Sequence, residues 1–145
     1  MLDDDPFFCA AAGLLLVLNG VYDLLCALAM VCGCCDALAN LHTDMLEEEE
    51  AAQPAVQRFW AYWIATHGCI RLWAGALLRE DRALATLAAL SLFLEGAGLV
   101  YEAFVMRTVV RWRAACVALL SIAVGLVAAV GGGLQCAARA RAFPQ

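Results

Sequence analysis

Four apolar blocks dominate this 145-residue chain, and each is long enough to cross the roughly 30 Å hydrocarbon core of a bilayer. A soluble four-helix bundle would need a polar face that recurs every three to four residues. Ala10–Leu18 and Val117–Val130 have no such face. The pattern therefore predicts an all-α integral membrane four-helix bundle that forms a single domain over residues 1–145. Its four transmembrane spans are predicted at about 7–31, 56–78, 83–106 and 114–138.

Composition and charge agree with a membrane protein and exclude a nucleic-acid-binding domain. Hydrophobic residues make up 65% of the chain, against about 45–50% in a typical soluble domain. The net charge is -5, and all nine basic residues are arginines that form no basic patch. The negative charge comes largely from Asp3–Asp5 and Glu47–Glu50. The second of these patches ends a polar connection at 36–55. We expect the acidic run itself to be a solvated loop or a short frayed helix, with a docking site for a basic partner as the weaker alternative.

Most of the eight cysteines lie inside the apolar blocks, where cysteine behaves as a small apolar residue. Cys32, Cys34 and Cys35 follow the first predicted span, and His42 comes soon after. Cysteine and histidine are zinc ligands, but this spacing matches no recognised zinc motif, so no metal site is predicted. S-acylation of these cysteines is a further alternative. We favour a simple apolar filling role.

Ionisable and polar side chains recur within the predicted spans, where lipid would not tolerate them. Asn19 and Asp23 share one face of the first span, as His67 and Arg71 do of the second. A count outward from the charged turn at 79–82 puts His67 level with Glu95 of the third span. We therefore predict a polar seam inside the bundle, formed by Asn19, Asp23, His67, Arg71 and Glu95. Structural ion pairing is the favoured interpretation of this seam, with a ligand or proton site as the alternative.

Two further features concern the ends and the packing of the spans. Arg58 and Glu102 both fall toward the end of the bundle opposite the charged turn, and they are predicted to close that mouth as an ion pair.

Small residues recur every fourth position in the last span, a spacing that lets another helix approach closely. That helix could belong to this chain or to a second copy. The stripe consists of Ser121, Gly125, Ala129 and Gly133.

Catalytic signatures are missing from the sequence. There is no H-E-x-x-H, no G-x-S-x-G, no P-loop and no Rossmann glycine pattern. No catalytic residues and no cofactor are therefore predicted. A small interaction or scaffold protein remains as the expected class.

The hairpin of the second and third spans resembles the ergosterol biosynthetic protein 28 family, small four-span proteins of the endoplasmic reticulum. The resemblance lies in Arg-Phe-Trp-Ala-Tyr-Trp at 58–63, Ile-Arg at 70–71, and Tyr-Glu-Ala-Phe-Val at 101–105 followed by Thr108. It covers about a third of the chain. It implies that six residues form the shared core of the hairpin: Arg58, Trp63, Arg71, Glu102, Phe104 and Thr108.

The same resemblance implies a non-catalytic scaffold in the endoplasmic reticulum. Its partners would be the sterol C-4 methyl oxidase, the decarboxylating C-3 dehydrogenase and the 3-keto reductase. Two alternatives stay open. One is an accessory subunit of a respiratory or photosynthetic membrane complex in an organelle. The other is a small-molecule or proton-coupled binder that uses the polar seam.

Overall fold

A computed structural model describes residues 6–46, 53–77 and 82–142, and the surroundings of side chains at 10–46, 53–77 and 83–130. The two acidic patches and most of the predicted charged turn lie outside the described residues. The described part is all-α, with one isolated backbone bridge and no strand. Its elements are α1 (Pro6–Cys32), α2 (Asp36–Thr43), α3 (Pro54–Leu77), α4 (Arg82–Tyr101), a π-helical turn (Glu102–Met106) and α5 (Arg111–Ala142).

Three of the described helical segments are long and apolar enough to cross a membrane. They lie at Ala10–Cys32, Ala83–Met106 and Arg111–Val130. The expectation of four such helices is wrong, because α3 does not meet the same measure of length and composition. Polar side chains such as His67 and Arg71 interrupt the apolar sequence of α3. Mean hydropathy counts these groups fully, whether they face lipid or the interior of the bundle.

α1 packs mainly against α3, and the contact is close because glycines of the two helices face each other. A Cβ atom added to Gly20 would lie 2.6 Å from the backbone nitrogen of Leu72. One added to Gly75 would lie 2.7 Å from the carbonyl oxygen of Gly13. Gly13 and Gly20 are seven residues apart, as are Gly68 and Gly75, so each pair occupies one face of its helix. Only glycine permits backbones to approach this closely.

α4 packs mainly against α5, through small residues that recur at alternating steps of four and three. Within residues 111–130 of α5, the buried positions are Ala114, Ala118, Ser121, Gly125 and Ala128. Ser121 and Gly125 of the predicted stripe therefore face α4, whereas Ala129 is exposed and Gly133 lies outside the residues whose surroundings are described. A strict four-residue repeat turns by about 40° at each step, because a helix has 3.6 residues per turn. The stripe consequently drifts off the packed face.

The connection between α1 and α3 is ordered over residues 33–46, whereas its acidic run at 47–50 lies outside the described residues. It contains α2, and after α2 the chain buries Met45 and Leu46 against the π-turn and the start of α5. The backbone N–H of Val110 donates a 2.8 Å hydrogen bond to the carbonyl oxygen of Met45. Arg113 donates to the carbonyl oxygen of Asp44 and pairs with its carboxylate at 3.5 Å. These contacts attach the connection to one end of the bundle.

Substituting Gly20→Ala should separate α1 from α3. The new methyl group would meet backbone atoms that cannot rotate away, so we expect the free energy of unfolding to fall by about 1–3 kcal/mol. Detergent-titrated unfolding in mixed micelles, followed by circular dichroism, measures the change. Gly98→Ala is the matched control, because a Cβ atom there would meet only the Trp63 ring, at 4.0 Å. An equal loss of stability in both variants would contradict the close glycine contact.

Candidate functional site

The guanidinium group of Arg71 lies at the centre of the bundle and is only 1% exposed. Its Nη1 atom donates hydrogen bonds to Asn19 Oδ1 at 3.0 Å and to Asp23 Oδ2 at 2.7 Å. Its Nη2 atom donates to Glu95 Oε2 at 2.5 Å, and its Nε atom donates to Ser91 Oγ at a longer 3.4 Å. Four of the five N–H groups of the arginine are therefore engaged by acceptors of this chain.

Two serines extend the contacts of this arginine. Ser121 Oγ donates to Glu95 Oε2 at 2.9 Å, and Ser91 Oγ donates to the carbonyl oxygen of Ala88 at 2.9 Å. The connected group draws on α1, α3, α4 and α5, so it joins all four long helices. We call it the arginine cluster; its members are Asn19, Asp23, Arg71, Ser91, Glu95 and Ser121.

The arginine cluster holds two carboxylates against one guanidinium. The side chains of Asp23 and Glu95 are 4% and 13% exposed, so both ion pairs lie in the interior. Buried ion pairs cost desolvation energy, and good geometry with additional hydrogen bonds is needed to offset it. The contacts from Asn19, Ser91 and Ser121 supply those bonds. The arrangement is suited to keeping the helices in register. It leaves few N–H groups of Arg71 free to donate to a ligand.

Four of the five residues predicted for the polar seam meet in this cluster, and His67 does not. The centroid of the His67 ring instead lies 4.7 Å from the centroid of the Trp63 ring. The His67 side chain is buried, and its Nδ1 atom has no hydrogen-bond partner among the described residues. Sequence reasoning missed Ser91. Ser91 lies four residues before Glu95 on the same face of α4. This spacing could have identified it as a member of the cluster.

His42 is a second buried histidine, contributed by α2. Its ring lies 5.4 Å from that of Tyr22, and its Nδ1 atom is also without a hydrogen-bond partner in the described part of the chain. Burial lowers the pKa of His42. The positive charge of Arg71 lowers this pKa further, while the negative charge of Glu95 opposes the shift. His42 is therefore held in its neutral form at the end of the bundle that α2 covers.

The predicted ion pair between Arg58 and Glu102 does not form. Arg58 is exposed and makes no ion pair with any described residue, whereas Glu102 Oε2 accepts a 2.5 Å hydrogen bond from Thr108 Oγ1. The π-turn explains the difference. It ends at Arg107, whose φ of 61° is left-handed, and the N–H of Thr108 then donates to the carbonyl oxygen of Glu102. This turn brings Thr108 to the carboxylate.

The six hairpin residues that carry the family resemblance occupy different environments. Arg71 is buried, and Glu102 and Thr108 are half-buried and bonded to each other. The other three, Arg58, Trp63 and Phe104, are exposed. The hairpin residues therefore do not form one core, because a continuous helix turns some of them outward.

The cysteines at the end of α1 form no metal site with His42. Cys32 and Cys34 are exposed and Cys35 is half-buried, and all three are free thiols. His42 is buried against Tyr22 instead. Within the described residues, no three histidine, cysteine or acidic side chains lie close enough to hold a metal ion.

Comparisons with known proteins found no relative of this chain. No family model, curated protein or solved structure matches the chain. The resemblance to the ergosterol biosynthetic protein 28 family therefore depends on the hairpin residues alone.

Substituting Arg71→Met should destabilise the fold strongly. Asp23 and Glu95 would be left buried without a counter-charge, so we expect a loss of about 3–5 kcal/mol in the free energy of unfolding. Adding Asp23→Asn and Glu95→Gln to the same chain should recover most of that loss, because the uncompensated charges are gone. Unfolding in mixed micelles measures both variants.

The exposed Arg58→Gln serves as a control for removal of an arginine charge. It should change stability by no more than about 0.5 kcal/mol. A large effect of Arg58→Gln, or no recovery in the triple variant, would show that the buried ion pairs do not govern stability.

The buried His42 should make stability depend on pH. Since its pKa in the folded chain lies below the value of about 6.5 for a free histidine, the unfolded state binds the proton more readily. The free energy of unfolding should therefore fall as the pH drops below about 6.5, and level off below the pKa of the folded state. His42→Phe keeps the ring against Tyr22 and should remove this part of the pH dependence. Thermal unfolding between pH 5 and pH 8 tests it; identical profiles for the two chains would refute it.

Proposed function

We propose that this protein is a non-catalytic scaffold of the endoplasmic reticulum membrane that gathers the enzymes of sterol C-4 demethylation. The family resemblance of the hairpin supports the sterol context. The arginine cluster supports the scaffold role, since its polar groups mostly satisfy one another within this chain. In this proposal the outer surface, not an interior active site, performs the function.

The proposal includes α3 as a fourth membrane span. His67 and Arg71 interrupt its apolar sequence, but both are buried within the bundle. Its outward-facing large side chains include Phe59, Tyr62 and Trp73. An ionisable residue inside a span faces the bundle rather than lipid. α3 can therefore cross the membrane beside α1 without exposing those two groups to lipid.

The observation that carries the proposal is the exposed aromatic surface of the hairpin. Phe59 on α3 is 73% exposed and Phe104 in the π-turn is 58% exposed. Tyr62 and Tyr101 add to the same exposed set. Aromatic side chains are enriched both at the membrane–water boundary and in protein–protein interfaces. A surface with this composition suits contact with the membrane domains of partner enzymes.

Affinity purification of the tagged protein in mild detergent, followed by mass spectrometry, tests the proposal. We expect the methyl oxidase, the decarboxylating dehydrogenase and the keto reductase to co-purify. A Phe59→Ala and Phe104→Ala double variant should reduce their recovery several-fold, because both side chains lie on the proposed contact surface.

Leu119→Ala on α5 is the matched control, since Leu119 is a similarly exposed apolar residue at 69%. It should leave recovery of the partners unchanged. Recovery of a respiratory or photosynthetic complex would instead favour the accessory-subunit alternative. Equal loss in both variants would show that the aromatic surface is not the contact.

A further inference from the structure

A cavity of about 330 Å³ lies between α3 and α4, on the side of the hairpin away from the close glycine contacts. Its volume falls at the lower end of the roughly 300–1,000 Å³ typical of ligand pockets. The cavity is open on one side, where Phe59 is largely exposed. Most of the wall is apolar or aromatic; the lining residues are Val56, Phe59, Trp60, Trp63, Glu95, Gly98, Leu99 and Glu102.

The polar groups of this wall are few and mainly acidic. Glu95 forms an ion pair with Arg71, which it shares with Asp23. Glu102 accepts one hydrogen bond from Thr108 and makes no ion pair with any described residue. The indole N–H of Trp60 is buried and has no hydrogen-bond partner in the described part of the chain. The cavity thus combines an apolar, aromatic wall with one carboxylate that has no counter-charge.

A carboxylate in apolar surroundings is costly unless a cation or several hydrogen-bond donors meet it. A cationic group beside aromatic rings gains a further attraction from their faces. We propose that the cavity binds an amphiphile with an ammonium headgroup, which pairs with Glu102 while its hydrocarbon tail lies against Trp60, Trp63 and Leu99. A fatty acid would be repelled by the same carboxylate. A fatty alcohol would also donate a hydrogen bond to the carboxylate, but it brings no positive charge to balance the negative one.

Two features of the local backbone favour a binding role for this wall. Gly98 leaves space that a larger side chain would fill, since its nearest neighbour across the cavity is the Trp63 ring. The π-turn that begins at Glu102 ends the helical segment of α4. The turn also holds the carboxylate through Thr108, so the group is oriented before a ligand arrives.

Tryptophan fluorescence tests this proposal, with the full chain in lipid nanodiscs. Trp73→Phe and Trp112→Phe remove two exposed tryptophans, so that only the cavity residues Trp60 and Trp63 report. The probes are ω-bromoundecylamine and ω-bromoundecanol, which carry the same quenching tail and differ in the headgroup. We expect saturable quenching by both, with the amine binding about tenfold more tightly, because only the amine brings a positive charge to the Glu102 carboxylate.

Two variants separate the headgroup from the cavity. Glu102→Gln should remove the advantage of the amine and leave binding of the alcohol unchanged. Gly98→Leu should fill the cavity and abolish saturable quenching by both probes, while circular dichroism verifies that the helices remain folded. Quenching that rises only in proportion to the amount of probe in the lipid would overturn the proposal. A groove that merely contacts lipid chains would give that result. An amine advantage that survives Glu102→Gln would overturn it equally.

Discussion

The fold depends on the burial of one guanidinium group between the long helices. A buried charge is stable only when acceptors surround it. Arg71 on α3 reaches Asp23 on α1 and Glu95 on α4, and Glu95 in turn accepts from Ser121 on α5. No single helix could supply these groups in the required directions. The arginine therefore requires all four long helices to pack in one arrangement.

The two faces of α3 are packed differently, and this difference creates the cavity. Toward α1, glycines such as Gly20 and Gly75 let the backbones almost touch. Toward α4, Trp60 and Trp63 line the cavity. Tight packing thus lies on one side of α3 and open space on the other.

The proposed scaffold surface and the proposed ligand site share residues of the hairpin. Phe59 is exposed on the outer surface and also lines the cavity. A ligand in the cavity would therefore change the surface that a partner protein contacts at this face. A membrane amphiphile could in that way influence assembly.

The sequence by itself determined the helical class and most of the buried polar contacts. Long apolar blocks can satisfy their backbone groups in lipid only as helices, and spacing of four residues puts Asn19 and Asp23 on one face. Tertiary structure alone decided that the His67 ring packs against Trp63 and that Glu102 bonds to Thr108 rather than to Arg58. Helical periodicity predicts which face of its own helix a side chain occupies. Which partner it meets depends on the rotation of neighbouring helices and on a local π-turn, and neither of these appears in residue spacing.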